Sequence, residues 1–361
     1  MRRKSLPVKV GAVTIGGDAP VAVQSMTNTA TADIKATLEQ INKLFAAGCE
    51  MVRVAVPDEK AARALGTIKK YAPLPIIADI HFDFRLALLS IQEGADKVRI
   101  NPGNIGGTEK LFQVAASAGE KGIPLRIGVN SGSINRDLRV KYKGPTAEAL
   151  MEAALQTINF LEKNSFKDIV VSLKAANVAL TIEAYQKISG RIPYPLHLGI
   201  TEAGRGLKGA IKSSLGIGFL LLNGIGDTIR VSLTGDPTEE IFVAREILQA
   251  AGLRKFGPEI ISCPTCARCQ IDLETLVDQV EVLIRKMGIK YPLKIAIMGC
   301  PVNGPGEARE ADIGISGADG FGIIFKEGKV YKKVAPGEIM TVLEHEIREL
   351  LKKKHLYKNT T

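Results

Sequence analysis

The chain contains no tryptophan, and aromatic residues make up only 5% of it. Stacking platforms for nucleic-acid bases are correspondingly scarce, and no aromatic-rich basic motif of the RNP1 kind occurs. No run approaches 18 apolar residues, so no transmembrane helix is expected. The opening MRRKSLPVKVGAV is basic, but no apolar stretch follows it, so no signal peptide is expected and the expected location is the cytoplasm. Five cysteines are too few and too uneven for a secreted disulfide scaffold. Solenoid repeats and low-complexity segments are absent as well.

The chain does have 361 residues, 45% of them hydrophobic, and 36 glycines. That length predicts two domains, one of them large. The formal net charge is +10. Such a balance is compatible with nucleic acid, anionic lipid or a small anionic substrate, and charge alone does not choose.

From about residue 20 to 250, short apolar runs alternate with helix-like stretches. The runs are 21–26, 51–56, 75–81, 97–103, 124–130, 168–175, 195–201 and 228–235. Amphipathic spacing over 37–48 and 146–164 predicts helices between them. Strands alternating with helices imply βαβ units and a parallel sheet. Eight such strands predict a (β/α)8 barrel over 1–252. A doubly wound open sheet is the runner-up, weakened because no G-x-G-x-x-G follows the first strand. The repeat stops at a Gly- and Pro-containing linker over 252–262. Residues 259–361 then read as a small α+β domain, with helices near 270–288 and 337–355.

Barrel chemistry sits at the C-terminal ends of strands. Those ends here carry Arg53, Asp79, His81, Arg99, Asn101, Arg126, Asn130, Lys174, His197, Thr201, Glu202, Arg230 and Ser232. Side chains alternate faces along a strand. Asp79 and His81 therefore share a face, as do Arg99 and Asn101, Arg126 and Asn130, and Arg230 and Ser232. Four arginines and Lys174 directed into one cup call for a counter-charge, and a phosphate or diphosphate answers that need. Lys174 also allows a Schiff-base reading, that of an aldolase-like enzyme.

Four of the five cysteines lie between 263 and 300, in SCPTCARCQ and GCPVNGPGE. Cys263 and Cys266 form C-x-x-C, Cys269 extends it, and Cys300 follows. The spacing suits an iron–sulfur cluster, a zinc site or a redox dithiol. A zinc module binding RNA through a basic surface is the non-enzymatic alternative. Cys49, which enters a strand, is expected to be a packed core thiol.

At SCPTC and GCPVNGPGE the chain resembles the bacterial (E)-4-hydroxy-3-methylbut-2-enyl diphosphate synthase family of the non-mevalonate isoprenoid pathway. VQSMTNT (23–29), ADIHFD (78–83), VRINPGNIG (98–106), RIGVNSGS (126–133), SLKAAN (172–177), GITEAG (199–204) and RVSLTGDP (230–237) extend the resemblance over nearly the whole chain. It implies a barrel resembling dihydropteroate synthase, followed by a domain resembling those of sulfite reductases. It implies one 4Fe–4S cluster per chain on Cys263, Cys266, Cys300 and Glu307, with Cys269 a bystander. It further implies substrate binding by Arg53, Asp79, His81, Arg99, Arg126, Asn130, Lys174, Thr201 and Ser232, with Glu202 and Glu307 catalytic. The implied partners are a small diphosphate substrate, flavodoxin or ferredoxin as electron donor, and a second copy in a head-to-tail homodimer. Neither nucleic acid nor a membrane is expected as a partner. The implied reaction is the reductive ring opening and dehydroxylation of 2-C-methyl-D-erythritol 2,4-cyclodiphosphate.

Overall fold

A computed structural model describes residues 2–301, 306 and 310–353. The chain divides into two compact units, Met1–Arg254 and Lys255–Thr361.

The first unit opens with an antiparallel hairpin, β1 (Val8–Val10) and β2 (Val13–Ile15). Eight parallel strands follow: β3 (Ala22–Met26), β4 (Met51–Ala55), β5 (Ile76–Asp79), β6 (Lys97–Ile100), β7 (Leu125–Asn130), β8 (Ile169–Lys174), β9 (His197–Leu198) and β10 (Thr228–Ile229). They pair in the order β8-β7-β6-β5-β4-β3-β10-β9, and a parallel bridge between Val171 and Leu196 joins the two ends. The expected (β/α)8 barrel is the fold found. β9 and β10 are much shorter than the apolar runs that announced them. Gly199 interrupts the first, and a Cβ there would lie 2.7 Å from the Arg230 carbonyl oxygen. Any side chain at that position would strike this carbonyl, so residue 199 has to be glycine.

Helices follow each strand, and side-chain caps set where several begin. Asp58, Asp83, Thr146 and Asn177 each accept a backbone N–H from the first turn. The helices Ile34–Ala46 and Ala147–Lys163 match the expected amphipathic stretches to within a turn. Cys49 is buried, and burial pushes its thiol up to about 12, as suits a packed core residue.

The hairpin was not anticipated from the sequence. Val8, Val10 and Ile15 pack against Ala22, Met51, Ile77 and Val170, the inward residues nearest the strand N-termini. It closes the bottom of the barrel with apolar side chains and leaves the polar residues the upper interior.

The second unit is a mixed five-stranded sheet in sequence order: β11 (Glu259–Ser262), β12 (Lys294–Met298), β13 (Ile313–Ala318), β14 (Phe321–Lys326) and β15 (Lys329–Val334). The first three strands run parallel and the rest antiparallel. Helices Leu273–Met287 and Ile339–Lys353 bury Leu276, Val280, Leu343 and Ile347 against one face of the sheet. Asp272 caps the first of these helices, and Gly288, at φ +58°, ends it in the left-handed conformation.

Ile15 is fully buried in the barrel floor. Ile15→Ala is expected to cost about 3 kcal/mol through a lost methyl cluster and its cavity. Urea denaturation of the two proteins measures this, and an unchanged midpoint would show that the hairpin does not seal the core.

Candidate active site

Asp79, at the end of β5, is 2% exposed and sits among cations. Its Oδ1 accepts from Arg99 Nη1 at 3.2 Å, and Oδ2 lies 3.2 Å from His81 Nε2 and 3.6 Å from Arg53 Nε. Burial alone raises the carboxyl, but Arg53, the His81 hydrogen bond, Arg99 and Arg126 together hold it well below the usual carboxylate range. Burial is also the largest influence on Arg53, drawing its guanidinium down to about 10 against the pull of Asp79. His81 stands at the margin of this group with half its side chain exposed. Arg99 crosses the inner face at Gly128, where a Cβ would lie 2.6 Å from its Nε. The glycine leaves room for the guanidinium.

Across the interior, Lys174 at the end of β8 is 3.2 Å from His197 Nε2, and His197 Nδ1 is 2.7 Å from Thr228 Oγ1. With the lysine donating to Nε2, the imidazole proton is assigned to Nδ1 and goes to Thr228. Burial and then Lys174 depress His197, and burial and then Arg126 depress Lys174. A Cβ at residue 199 would lie 2.8 Å from Lys174 Nζ, so Gly199 also admits a cation. Arg126 is 1% exposed, and its Nε and Nη1 have no hydrogen-bond partner among the described residues.

Sequence reasoning placed Arg230 among the cations awaiting an anion. The structure corrects that. Arg230 pairs with Glu240 at 3.1 Å, and Glu240 also accepts from Ser25 and from the Leu233 N–H. Glu240 was missed because it belongs to the helix Pro237–Ala250, where spacing marks no strand end. Asn101 is likewise turned to local use, accepting the Gly103 N–H at 3.1 Å. Asn130 closes β7, and Ser232 follows β10, half-buried. Thr201 and Glu202 form the turn after β9. Glu202 is exposed and holds φ at +54°, a left-handed conformation that an ordinary side chain adopts at a cost. Lys97, fully buried on β6, is a further interior cation that the strand-end rule overlooked because it opens its strand. Among the described residues, the carboxylates within ion-pair distance of these interior cations are Asp79 and Glu240.

In the second unit, Cys263 directly follows β11 and Cys300 lies two residues beyond β12. Cys263 Sγ accepts the Gly299 N–H at 3.2 Å, and the Gln270 N–H donates to the Gly299 carbonyl at 2.8 Å. The two cysteine loops therefore meet. Cys300 is buried and Cys266 exposed. Hydrogen bonds from the Arg268 backbone and side chain hold the Cys266 thiol below its usual range. Cys269 Sγ donates to the Ile271 carbonyl at 3.2 Å and lies against Gly299, where a Cβ would come within 2.4 Å of it. No three metal-ligating side chains are gathered around one point among the described residues. Glu307 lies outside the described residues. The donors nonetheless fit an iron–sulfur group in kind: soft thiols on adjoining loops, one already accepting a backbone N–H of the sort that supports cluster sulfur.

The first unit is thus a TIM barrel with a polar, cation-rich interior, and the second presents cysteines at the ends of parallel strands. A model described as the GcpE TIM-barrel domain matches residues 5–245, and one described as the GcpE protein C-terminal domain matches residues 259–349. The chain belongs to the GcpE family. It is 56% identical over 354 residues to the 4-hydroxy-3-methylbut-2-en-1-yl diphosphate synthase (flavodoxin) of Caldanaerobacter subterraneus subsp. tengcongensis, covering 98% of this chain and 99% of that protein. The protein of the same name from Bacillus subtilis is 52% identical over 357 residues, covering 99% and 94% respectively. A solved spore coat polysaccharide biosynthesis protein from Bacillus subtilis superposes with a TM-score of 0.50 at 11% identity. It covers 69% of this chain and 75% of that one, a likeness of fold alone.

Asp79→Asn would leave two buried guanidinium groups without their counter-charge and is expected to cost about 3 kcal/mol at neutral pH. The folded-state carboxyl is depressed, so its contribution is present above about pH 4 and lost as pH falls below that. Denaturation of both proteins between about pH 3 and 7 should show the gap narrowing on the acid side. A pH-independent gap would mean that charge is not what Asp79 supplies.

Proposed function

We propose that this chain is a reductive enzyme that converts 2-C-methyl-D-erythritol 2,4-cyclodiphosphate to (E)-4-hydroxy-3-methylbut-2-enyl diphosphate in isoprenoid biosynthesis. The observation that carries the reading is the 56% identity to a synthase of that product along nearly the full length of both proteins. Two electrons and two protons enter, the ring C–O bond to phosphate and a C–OH bond break, and water leaves. The relatives' name includes flavodoxin, and flavodoxin is the electron donor inferred here.

The barrel interior supports binding of the anionic end. Arg53, Arg99, Arg126 and Lys174 lie on inward positions, with fewer carboxylates than cations among them. Guanidinium forks suit phosphate oxygens, and Ser232, Asn130 and Thr201 supply uncharged hydrogen bonds around them. Asp79 orients Arg53, Arg99 and His81, and its charge offsets part of theirs. Burial on the apolar floor keeps bulk water from beneath the diphosphate. Glu202, exposed in its turn, is the inferred proton donor to the reacting carbons. The Schiff-base alternative for Lys174 is weaker, because that amine already has His197 beside it and lies among guanidinium groups suited to an anion.

Cys263, Cys266 and Cys300 with Glu307 are the inferred ligands of one 4Fe–4S cluster. When bound, that group supplies single electrons and a Lewis-acidic iron. Three thiolates and one carboxylate differ in softness, so the carboxylate end is the more exchangeable. Cys269, which has a backbone carbonyl for its thiol, is left outside the set.

A homodimer is inferred as well. Leu207, Ile211, Leu215, Phe219 and Leu222 are exposed along one side of the helix Gly206–Leu222, and Phe242 is exposed on the neighbouring helix. A contiguous apolar patch of this kind marks an interaction surface. No helix among the described residues is long and apolar enough to cross a membrane.

Anaerobically purified protein should be brown, hold about four irons per chain and turn over the cyclic diphosphate with reduced flavodoxin. A colourless protein with stoichiometric zinc would overturn the reading. Glu307→Ala should impair turnover far more than Cys269→Ala, and equal cluster loss in the two variants would refute the ligand assignment. Ile211→Asp combined with Leu215→Asp should halve the mass seen by sedimentation. A dimer that survives both changes uses another surface.

A further inference from the structure

Lys97 has no part in the chemistry described so far. It lies on β6 two residues before Arg99, so the two side chains share the inward face of the barrel. Lys97 is fully buried, and its Nζ has no hydrogen-bond partner among the described residues. The charged and titratable groups around it are Arg126 from β7, Arg53 from β4 and His197 from β9. No carboxylate lies within ion-pair distance of it among the described residues. Two further atoms of Arg126, Nε and Nη1, are also without partners. The floor of the cation cluster is therefore short of negative charge in the free protein.

We propose that Lys97 takes up a proton when the cyclic diphosphate settles on Arg53 and Arg126, and thereby becomes a positioning cation beneath the diphosphate. The inference rests on the substrate reading above. Burial first, and then the charges of Arg126 and Arg53, make the protonated amine unfavourable in the free barrel. A dianion on those guanidinium groups offsets their field at Nζ, and the amine becomes easier to charge. His197 is a poorer seat for the incoming proton, because its Nε2 accepts from Lys174 and its Nδ1 proton goes to Thr228. The Lys97 nitrogen has no such partner among the described residues. Lys174 is the rival seat, and uptake undiminished in the Lys97 variants would assign the proton there. Because the charge forms only with ligand present, the free fold carries less unpaired buried charge while the complex gains an added cation.

The test is calorimetric titration of the full-length, iron–sulfur-loaded enzyme with 2-C-methyl-D-erythritol 2,4-cyclodiphosphate, kept anaerobic and without reductant so that no turnover occurs. Two buffers of different ionisation heat, near pH 8, report protons exchanged. The phosphodiester groups of this ligand do not titrate there, so uptake belongs to the protein. Wild type should take up about one proton per site. Lys97→Met should lose that uptake and bind about tenfold more weakly. Lys97→Arg, permanently charged, should lose the uptake and keep its affinity; it also serves if the methionine variant does not fold. Binding by wild type without proton uptake overturns the proposal alone. So does uptake undiminished in the variants. Failure of the cyclic diphosphate to bind at all overturns the substrate reading together with it.

Discussion

One buried carboxylate organises the barrel interior. Asp79 holds Arg99, His81 and Arg53 in reach of its two oxygens at the end of β5. Without it the guanidinium groups would repel one another in a largely buried region, at a cost of several kcal/mol per uncompensated charge. With it they are held apart and aimed, yet not neutralised. Arg126 adds positive charge with no acid of its own among the described residues, and the buried amines of Lys97 and Lys174 stand beside it with none either. The result is a cup whose guanidinium groups outnumber the carboxylates that hold them. Preorganisation of this kind reduces what a ligand must spend on ordering its receptor.

The scaffold meets that demand with small residues and with an apolar floor. Gly128 and Gly199 give Arg99 and Lys174 the volume that any side chain would occupy. The hairpin β1–β2 closes the opposite end with Val8, Val10 and Ile15. Apolar side chains thus gather toward the strand starts and polar ones toward the ends, with Lys97, paired in register with Ile77, the exception. The same strands serve both, because Met51 and Arg53, or Ile77 and Asp79, stand two residues apart on one inward face.

That two-residue period is why much of the interior was legible in the sequence. Asp79, Arg99 and Arg126 could be turned inward by parity alone, since the strands around them were marked by apolar runs. Arg230 and Glu240 were not legible as a pair. One follows a strand and the other rides a helix, and only the closed barrel makes them neighbours. Lys97 was passed over because attention went to strand ends, while a lysine at a strand start can still extend its chain along the interior. The hairpin was hidden in a segment too short for periodicity to register. Asn101 looked like a ligand and proved to be a turn-former, a use its short side chain shares with many turn asparagines.

Both units place the side chains of their candidate sites by one geometric rule. In the barrel, Asp79 and Lys174 close parallel strands, and in the second unit Cys263 and Cys300 follow the paired parallel strands β11 and β12. Parallel strands end side by side, so the loops leaving them begin as neighbours and can be tied together. The Gly299 N–H to Cys263 Sγ is such a tie, made by the residue just before Cys300. A side chain at Gly299 would strike Cys269, so the loop carrying the third thiol of the C-x-x-C-x-x-C run also determines what residue 299 can be. Cysteine spacing alone could not reveal this. C-x-x-C fixes two thiols on one turn, but the approach of Cys300 depends on the register between β11 and β12, where Ser262 stands opposite Ile297. A slip of one residue in that register would turn the inward side chains outward and carry Cys300 off with them. The sheet of the second unit is therefore as much a part of the thiol arrangement as the cysteines themselves.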